Sequence, residues 1–114
     1  MLEHLYEGVK GMGWSEQVER NLKAIEYEKK GNIEGAISLY EKNVDEDFQG
    51  THPYERLSQL YLDSGKKEDL IRILEKAIIV FEGSQLTDCQ HKHTQLKRFK
   101  QMYKNVMATL EKVN

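Results

Sequence analysis

The residues of this sequence best suited to chemistry are a cysteine and two histidines near its end, in the pattern Cys-x-His-x-His. In a helix, Cys89 and His93 would lie one turn apart on one face, a spacing at which a thiolate and an imidazole can bind a transition metal. Structural zinc sites need four protein ligands, and no second cluster supplies the others. We therefore interpret Cys89 as a small buried hydrophobe on the same face as Leu96, with the histidines solvated, and we predict neither metal nor cofactor.

Catalytic motifs are missing from the sequence. It has no Gly-x-Ser-x-Gly nucleophile turn, no phosphate-binding Gly-Lys-Ser/Thr loop and no His-Glu-x-x-His. Carboxylates such as Glu26 and Glu28 are close together, but acid–base pairs need a cleft that shifts their pKa values. We predict that the protein is not an enzyme.

The composition is typical of one small helical domain. The 114 residues include one proline and eight glycines, and 32% of them are charged. A single cysteine cannot form an internal disulfide, which favours a reducing compartment. No segment approaches the roughly 20 apolar residues that span a bilayer. These features predict a cytoplasmic protein that is not bound to a membrane.

The chain repeats itself after 34 residues, so that residues 17–50 align with residues 51–84. The identical pairs are Tyr27/Tyr61, Gly31/Gly65, Glu34/Glu68, Ile37/Ile71, Glu41/Glu75 and Lys42/Lys76. Each glycine separates two helical patterns, which is the place for a residue with positive φ that ends one helix. The repeat therefore predicts two helical hairpins.

Apolar periodicity and capping residues set the expected helix boundaries. We predict helices over about 15–30, 33–46, 52–64, 66–82 and 87–113, preceded by a short N-terminal arm, residues 1–14. Asn32 is expected to cap the second helix, and Pro53 is compatible with the first turn of the third.

The predicted fifth helix carries a narrow apolar seam from Leu96 to Val113 and follows an unusually apolar fourth helix. The second half of that fourth helix, Ala77–Phe81, leaves almost no polar face and should be covered on more than one side. The seam either covers it or pairs with a second copy of the chain. Residues 88–114 carry six Lys or Arg against two acidic residues, so a basic helix follows an acidic body.

The 34-residue period and its key residues resemble the tetratricopeptide repeat (TPR) family. The first unit matches through Ala24, Tyr27, Gly31-Asn32, Ala36 and Tyr40-Glu41-Lys42, and the second through Tyr61, Gly65, Leu70, Leu74 and Glu75-Lys76-Ala77. The chain departs from the family pattern at Ser58, Leu70 and Asn43 and lacks the inter-repeat proline.

The resemblance implies an all-α fold of antiparallel helix pairs stacked as a short right-handed solenoid. Residues 15–84 would form the two repeats, 17–50 and 51–84, and residues 85–114 a long capping helix of the same domain.

In that family, the first helix of each pair lines a groove that binds a peptide or a helix of a partner protein. The resemblance thus implies a non-catalytic protein-interaction adaptor. Carried onto this chain, the partner-binding residues would be Asn21, Ile25, Glu28, His52, Glu55, Arg56, Gln59 and Leu62. One subclass grips a C-terminal carboxylate, which Ile25 and Glu55 disfavour here.

Two other functions use the C-terminal helix. Its basic residues, Lys92, Lys97, Arg98, Lys100 and Lys104, could track nucleic-acid phosphates, although we favour a solvated face that complements the acidic repeats. Alternatively, the Leu96–Val113 seam could join two copies into a homodimer or a structural subunit. Salt-sensitive retention on heparin would indicate the first function, and a dimer in light scattering the second.

Overall fold

A computed structural model describes residues 14–83 and 90–113, and within these ranges every regular element is an α-helix. The helices are α1 Trp14–Lys29, α2 Ile33–Asp45, α3 His52–Asp63, α4 Lys67–Gly83 and α5 Gln90–Val113. The all-α prediction is confirmed. The predicted N-terminal arm before Trp14 and the predicted start of the last helix at Thr87 lie outside the described residues. None of the described helices is long and apolar enough to cross a membrane.

The chain divides into two compact units between Phe48 and Gln49. The first unit contains the hairpin of α1 and α2. The second unit contains the hairpin of α3 and α4 together with α5, which packs against α4.

The two aligned glycines make the same helix-ending turn. Gly31 and Gly65 have φ values of +83° and +72°, in the left-handed region that favours glycine. The amide after each glycine donates a hydrogen bond back to the aligned tyrosine, to the Tyr27 carbonyl at 2.8 Å and to the Tyr61 carbonyl at 2.9 Å. This is the Schellman motif, which pairs backbone groups that a helix end leaves free. The predicted hairpin turns are confirmed.

Helix α2 ends in a third turn of this kind without a glycine. Asp47 has a φ of +56°, and the Phe48 amide donates to the Asn43 carbonyl at 3.1 Å. The sequence pattern predicts a break here but not this conformation, which Asp adopts more readily than most residues. At the other end of α2, the prediction that Asn32 caps the helix is confirmed, since its side chain accepts a hydrogen bond from the Gly35 amide at 3.0 Å.

The first unit has a fully paired polar group in its core. The side chain of Asn43 is 0% exposed. Its amide nitrogen donates to the Gln17 carbonyl oxygen and to Asn21 Oδ1, both at 2.8 Å, and its oxygen accepts from Arg20 at 2.8 Å. The 34-residue alignment puts Asn43 opposite Ala77, so an amide takes the place of a methyl group. Three hydrogen bonds compensate for its burial.

The same network reaches the end of α2. Arg20 also donates to Glu46 Oε1 at 2.8 Å, and Gln17 Nε2 donates to the same oxygen at 3.0 Å. The hydrogen bond from Arg20 lowers the pKa of Glu46. The resulting stabilisation is present above the unfolded-state pKa of the carboxyl and is lost as the pH falls through the lowered folded-state value.

The core of the second unit is built around three aromatic rings, one from each helix. Phe81 of α4 meets Tyr54 of α3 edge to face at a centroid distance of 5.2 Å and stacks on Phe99 of α5 at 6.1 Å. Tyr54 and Phe99 are 6.5 Å apart. All three rings are buried. Such pairs add roughly 0.5–1.5 kcal/mol each beyond the area they bury.

The contacts around these rings confirm that the last helix covers α4. Lys100 Nζ lies 2.6 Å from Glu82 Oε2, and Tyr103 donates a hydrogen bond to Glu75 at 2.9 Å, which raises the pKa of the tyrosine. The cover is not complete over the described residues, because Ile79 on α4 remains 68% exposed. It lies on the helix face away from both neighbours, which is why the apolar run Ala77–Phe81 contains one solvated side chain.

The second unit also buries a polar group, but without a partner. Ser58 is 1% exposed, and its Oγ has no hydrogen bond to any residue that the structure describes. The 34-residue alignment puts Ser58 opposite Ala24, so each hairpin has one small apolar residue replaced by a polar one. The replacement is satisfied at Asn43 and unsatisfied at Ser58.

The same substitution should therefore have opposite effects in the two hairpins. We expect Asn43→Ala to destabilise the protein by about 2–4 kcal/mol, because Asn21 and the Gln17 carbonyl lose their partners in a buried setting. Ser58→Ala should stabilise it by up to about 1 kcal/mol, because it removes an unpaired hydroxyl and raises helix propensity. Urea unfolding followed by circular dichroism measures both. A loss of stability in Ser58→Ala would mean that the hydroxyl has a bonding partner.

Two glycines of the second unit, Gly65 and Gly83, give a matched test of the turn. Gly65→Ala should cost about 1 kcal/mol, because alanine disfavours the left-handed conformation although nothing lies within 4 Å of the added Cβ. Gly83→Ala, at the end of α4, adds a methyl into similarly open space without positive φ. It should be neutral or slightly stabilising in thermal unfolding. Equal effects of the two substitutions would refute the conformational explanation.

Candidate functional site

The three predicted partner-binding residues of the first unit lie on α1 and differ in accessibility. Asn21 is buried and accepts the hydrogen bond from Asn43, so its side chain packs inside the hairpin. Ile25 is half-buried. Glu28 is half-buried and accepts a hydrogen bond from the Tyr40 hydroxyl at 2.7 Å. At least two of the three therefore have a role within the hairpin.

The other five predicted residues, His52, Glu55, Arg56, Gln59 and Leu62, all lie on α3 in the second unit. The structure brings four of them, all except His52, into contact with one continuous cleft between α3 and α5. The groove expected between the first and third helices joins residues of different units and stays a prediction.

The α3–α5 cleft consists of two adjoining parts that share Arg98 and Met102. One part has a volume of about 180 Å³ and the other about 480 Å³. The smaller part is lined by Glu55, Arg56, Ser58, Gln59, Gln95, Arg98, Phe99 and Met102. The larger part is lined by Leu62, Arg98, Gln101, Met102, Asn105, Val106 and Thr109.

The cleft exists because α3 and α5 pack side by side on α4 and run in the same direction. Near the start of both helices, His91 Nε2 lies 3.2 Å from Thr51 Oγ1 and 3.8 Å from Glu55 Oε2. Further along, Leu62 and Val106 line the same part of the cleft. The side chains between these points therefore face each other in register along two parallel helices.

The two parts of the cleft differ in chemistry. The smaller part holds a carboxylate, two guanidinium groups and the buried amide of Gln95. The larger part offers apolar surface from Leu62, Met102 and Val106, and Leu62 is 47% exposed. An accessible apolar surface beside a few convergent polar groups is the usual composition of a binding site.

The metal and nucleic-acid hypotheses concern α5 as well. Within the described residues, no group of three or more His, Cys, Asp and Glu side chains is placed to hold a metal ion, and Cys89 lies outside those residues.

On the basic face of α5, Lys100 contacts Glu82 and the Lys92 ammonium lies 6.0 Å from the centre of the Phe81 ring. Two of the five basic side chains are thus used in packing against α4.

No protein-family model, curated protein or solved structure matches this chain. The tetratricopeptide resemblance accordingly stays a prediction that rests on the residues that carry it.

The sequence prediction includes four residues that line the α3 side of the cleft, but it places them in a groove with the first helix and includes none from α5. Arg98 was assigned to a solvated basic face, and Met102 was not singled out. The seam contained a usable signal, because Met102 follows Phe99 by three residues and precedes Val106 by four, which places it beside the buried seam. Only the parallel packing of α3 and α5 shows that it faces Leu62.

The cleft should depend on the ring that anchors α5. We expect Phe99→Ala to destabilise the protein by about 3–5 kcal/mol, because it leaves a cavity beside the Tyr54 and Phe81 rings. Phe99→Leu should cost less because it refills part of that volume, and Gln101→Ala, on the exposed surface of the same helix, should change stability by less than about 0.5 kcal/mol. Chemical unfolding gives these values. A loss below about 1 kcal/mol in Phe99→Ala would mean that α5 is held mainly by other contacts.

Proposed function

We propose that this protein is a non-catalytic protein-interaction module that binds a helix or peptide segment of a partner protein in the α3–α5 cleft. The observation that carries the proposal is Leu62, a leucine 47% exposed in a cleft that also contains Met102 and Val106. Covering such a surface with a partner side chain is favourable, at roughly 25 cal/mol for each Å² of apolar area removed from water.

The polar part of the cleft would fix which segment binds and in which register. Glu55, Arg56 and Gln59 lie on one side of it and Gln95 on the other. In protein interfaces, a small apolar centre supplies most of the affinity while the surrounding polar groups exclude mismatched partners. The cleft has both components within two adjoining spaces.

The same proposal includes a tetratricopeptide-like origin of the two hairpins and a cytoplasmic location. Three features support the repeat assignment: the 34-residue shift, the identical turns at Gly31 and Gly65, and the parallel course of α3 and α5, which suits the first helices of successive repeats. The cytoplasmic location rests on the lone cysteine, Cys89.

The proposal is tested by affinity capture from a nuclease-treated native lysate with three versions of the full chain. Leu62→Glu puts a charge into the cleft. Ile79→Glu puts the same charge on an exposed isoleucine of α4 that does not line the cleft. We expect the wild type and Ile79→Glu to recover the same protein and Leu62→Glu to lose it by at least about tenfold, since a buried unpaired charge is strongly unfavourable.

A binding measurement between the two purified proteins then tests whether the captured protein contacts this chain directly. Recovery that is equal in all three versions would refute the cleft as the binding site. If a Lys97→Glu/Lys104→Glu variant, and not Leu62→Glu, abolished recovery, the exposed basic face of α5 would be the binding surface instead.

A further inference from the structure

The polar part of the α3–α5 cleft has an excess of positive charge that points to a particular class of peptide. Arg56 of α3 and Arg98 of α5 both line it, against the single carboxylate of Glu55. Glu55 also lies 3.8 Å from His91 Nε2, near the start of the two helices. The carboxylate of Glu55 therefore lies at the end of the cleft where α3 and α5 begin, and Arg98 lies further along α5.

Arg98 is placed where the two parts of the cleft meet. Together with Met102 it lines both parts, and it forms no ion pair with a residue that the structure describes. A guanidinium group is weakly hydrated for a cation and presents a planar set of donors that matches a carboxylate. It is the group in this cleft best suited to bind an incoming anion.

We propose, on the basis of the proposed function, that the segment bound by the α3–α5 cleft is amphipathic. It carries an Asp or Glu side chain that pairs with Arg98 and, one helical turn away, a bulky apolar side chain. The apolar side chain would cover the surface formed by Leu62, Met102 and Val106. The spacing follows from α5 itself, because Arg98 and Met102 are four residues apart, about 6 Å along the helix. A ligand helix has the same rise between residues i and i+4.

Glu55 gives the cleft its selectivity against the wrong charge arrangement. A ligand whose acidic residue lay at the end of the cleft where α3 and α5 begin would bring its carboxylate close to that of Glu55, which is unfavourable. The acidic residue is therefore directed to Arg98, next to the apolar surface, and a ligand with a basic residue at that position would meet the Arg98 guanidinium group.

Selection from a displayed library of random 16-residue peptides against the full chain tests this inference. We expect the enriched peptides to combine an acidic and a bulky apolar residue three or four positions apart. With Arg98→Glu, the acidic preference should change to Lys or Arg at the same spacing. Lys97→Glu, an adjacent exposed residue outside the cleft lining, is the matched control and should leave the preference unchanged.

Fluorescence anisotropy with the most enriched peptide gives the magnitude. Arg98→Glu should weaken binding by about tenfold or more, and exchanging the acidic residue of the peptide for lysine should restore binding to that variant. Circular dichroism of Arg98→Glu checks that the helices persist, as expected for an exposed side chain.

The outcomes separate this inference from the proposed function. Peptides that are enriched without an acidic preference, or whose binding is unchanged in Arg98→Glu, overturn the inference; the proposed function survives if Leu62→Glu still abolishes their binding. A selection that enriches no peptide above background overturns the inference, and when lysate capture by the wild-type chain also recovers no protein, the proposed function fails with it.

Discussion

The mutual packing of the Phe81, Tyr54 and Phe99 rings is the interaction on which the second unit depends. Helices α3 and α5 are far apart in sequence, and both are positioned by α4. The separation between them is therefore set by what α4 presents to each side. The α3–α5 cleft follows from that arrangement, since two parallel helices held against a third leave a channel between their outward side chains.

The two units reach stability by different means. With only two helices, the first unit has little apolar surface to bury, and the buried amide of Asn43 fixes how α1 and α2 meet through three hydrogen bonds. A buried polar group whose hydrogen bonds form in only one packing arrangement of two helices makes the other arrangements less stable. The second unit has three helices and aromatic rings, and it tolerates a hydroxyl at Ser58 that has no hydrogen-bond partner among the residues described by the structure.

Local features of this protein could be read from its sequence because their causes are local. The turns at Gly31 and Gly65 and the cap at Asn32 each depend on a few neighbouring residues. Apolar spacing with capping residues predicted every helix end to within one residue, apart from the start of α5, whose predicted first residue lies outside those described. The cover of α4 by α5 was one of two alternatives, because the seam around Phe99 had to face something apolar, either α4 or a second copy of the chain.

What the sequence did not show depends on which distant side chains meet. Periodicity identifies the face of a helix but not its neighbour, so it could not pair Asn43 with Arg20 or place Arg98 and Met102 opposite α3. It likewise treated Ile79 as part of an apolar face that the fold leaves in water. The α3 half of the candidate site came from the family resemblance and the α5 half from the fold, and the role of both in binding is proposed.

The common direction of α3 and α5 has a further consequence for any helix that docks there. The peptide dipoles of parallel helices add, so the backbones of α3 and α5 contribute partial positive charge at the end near Thr51 and His91 and partial negative charge at the opposite end. A docked helix lies most favourably antiparallel to both, because its own partial charges then face opposite ones. The effect is only roughly 0.3–1 kcal/mol, but it acts on orientation alone. The cleft would therefore favour one orientation of a docked helix. It would distinguish between two segments that carry the same side chains in reversed order.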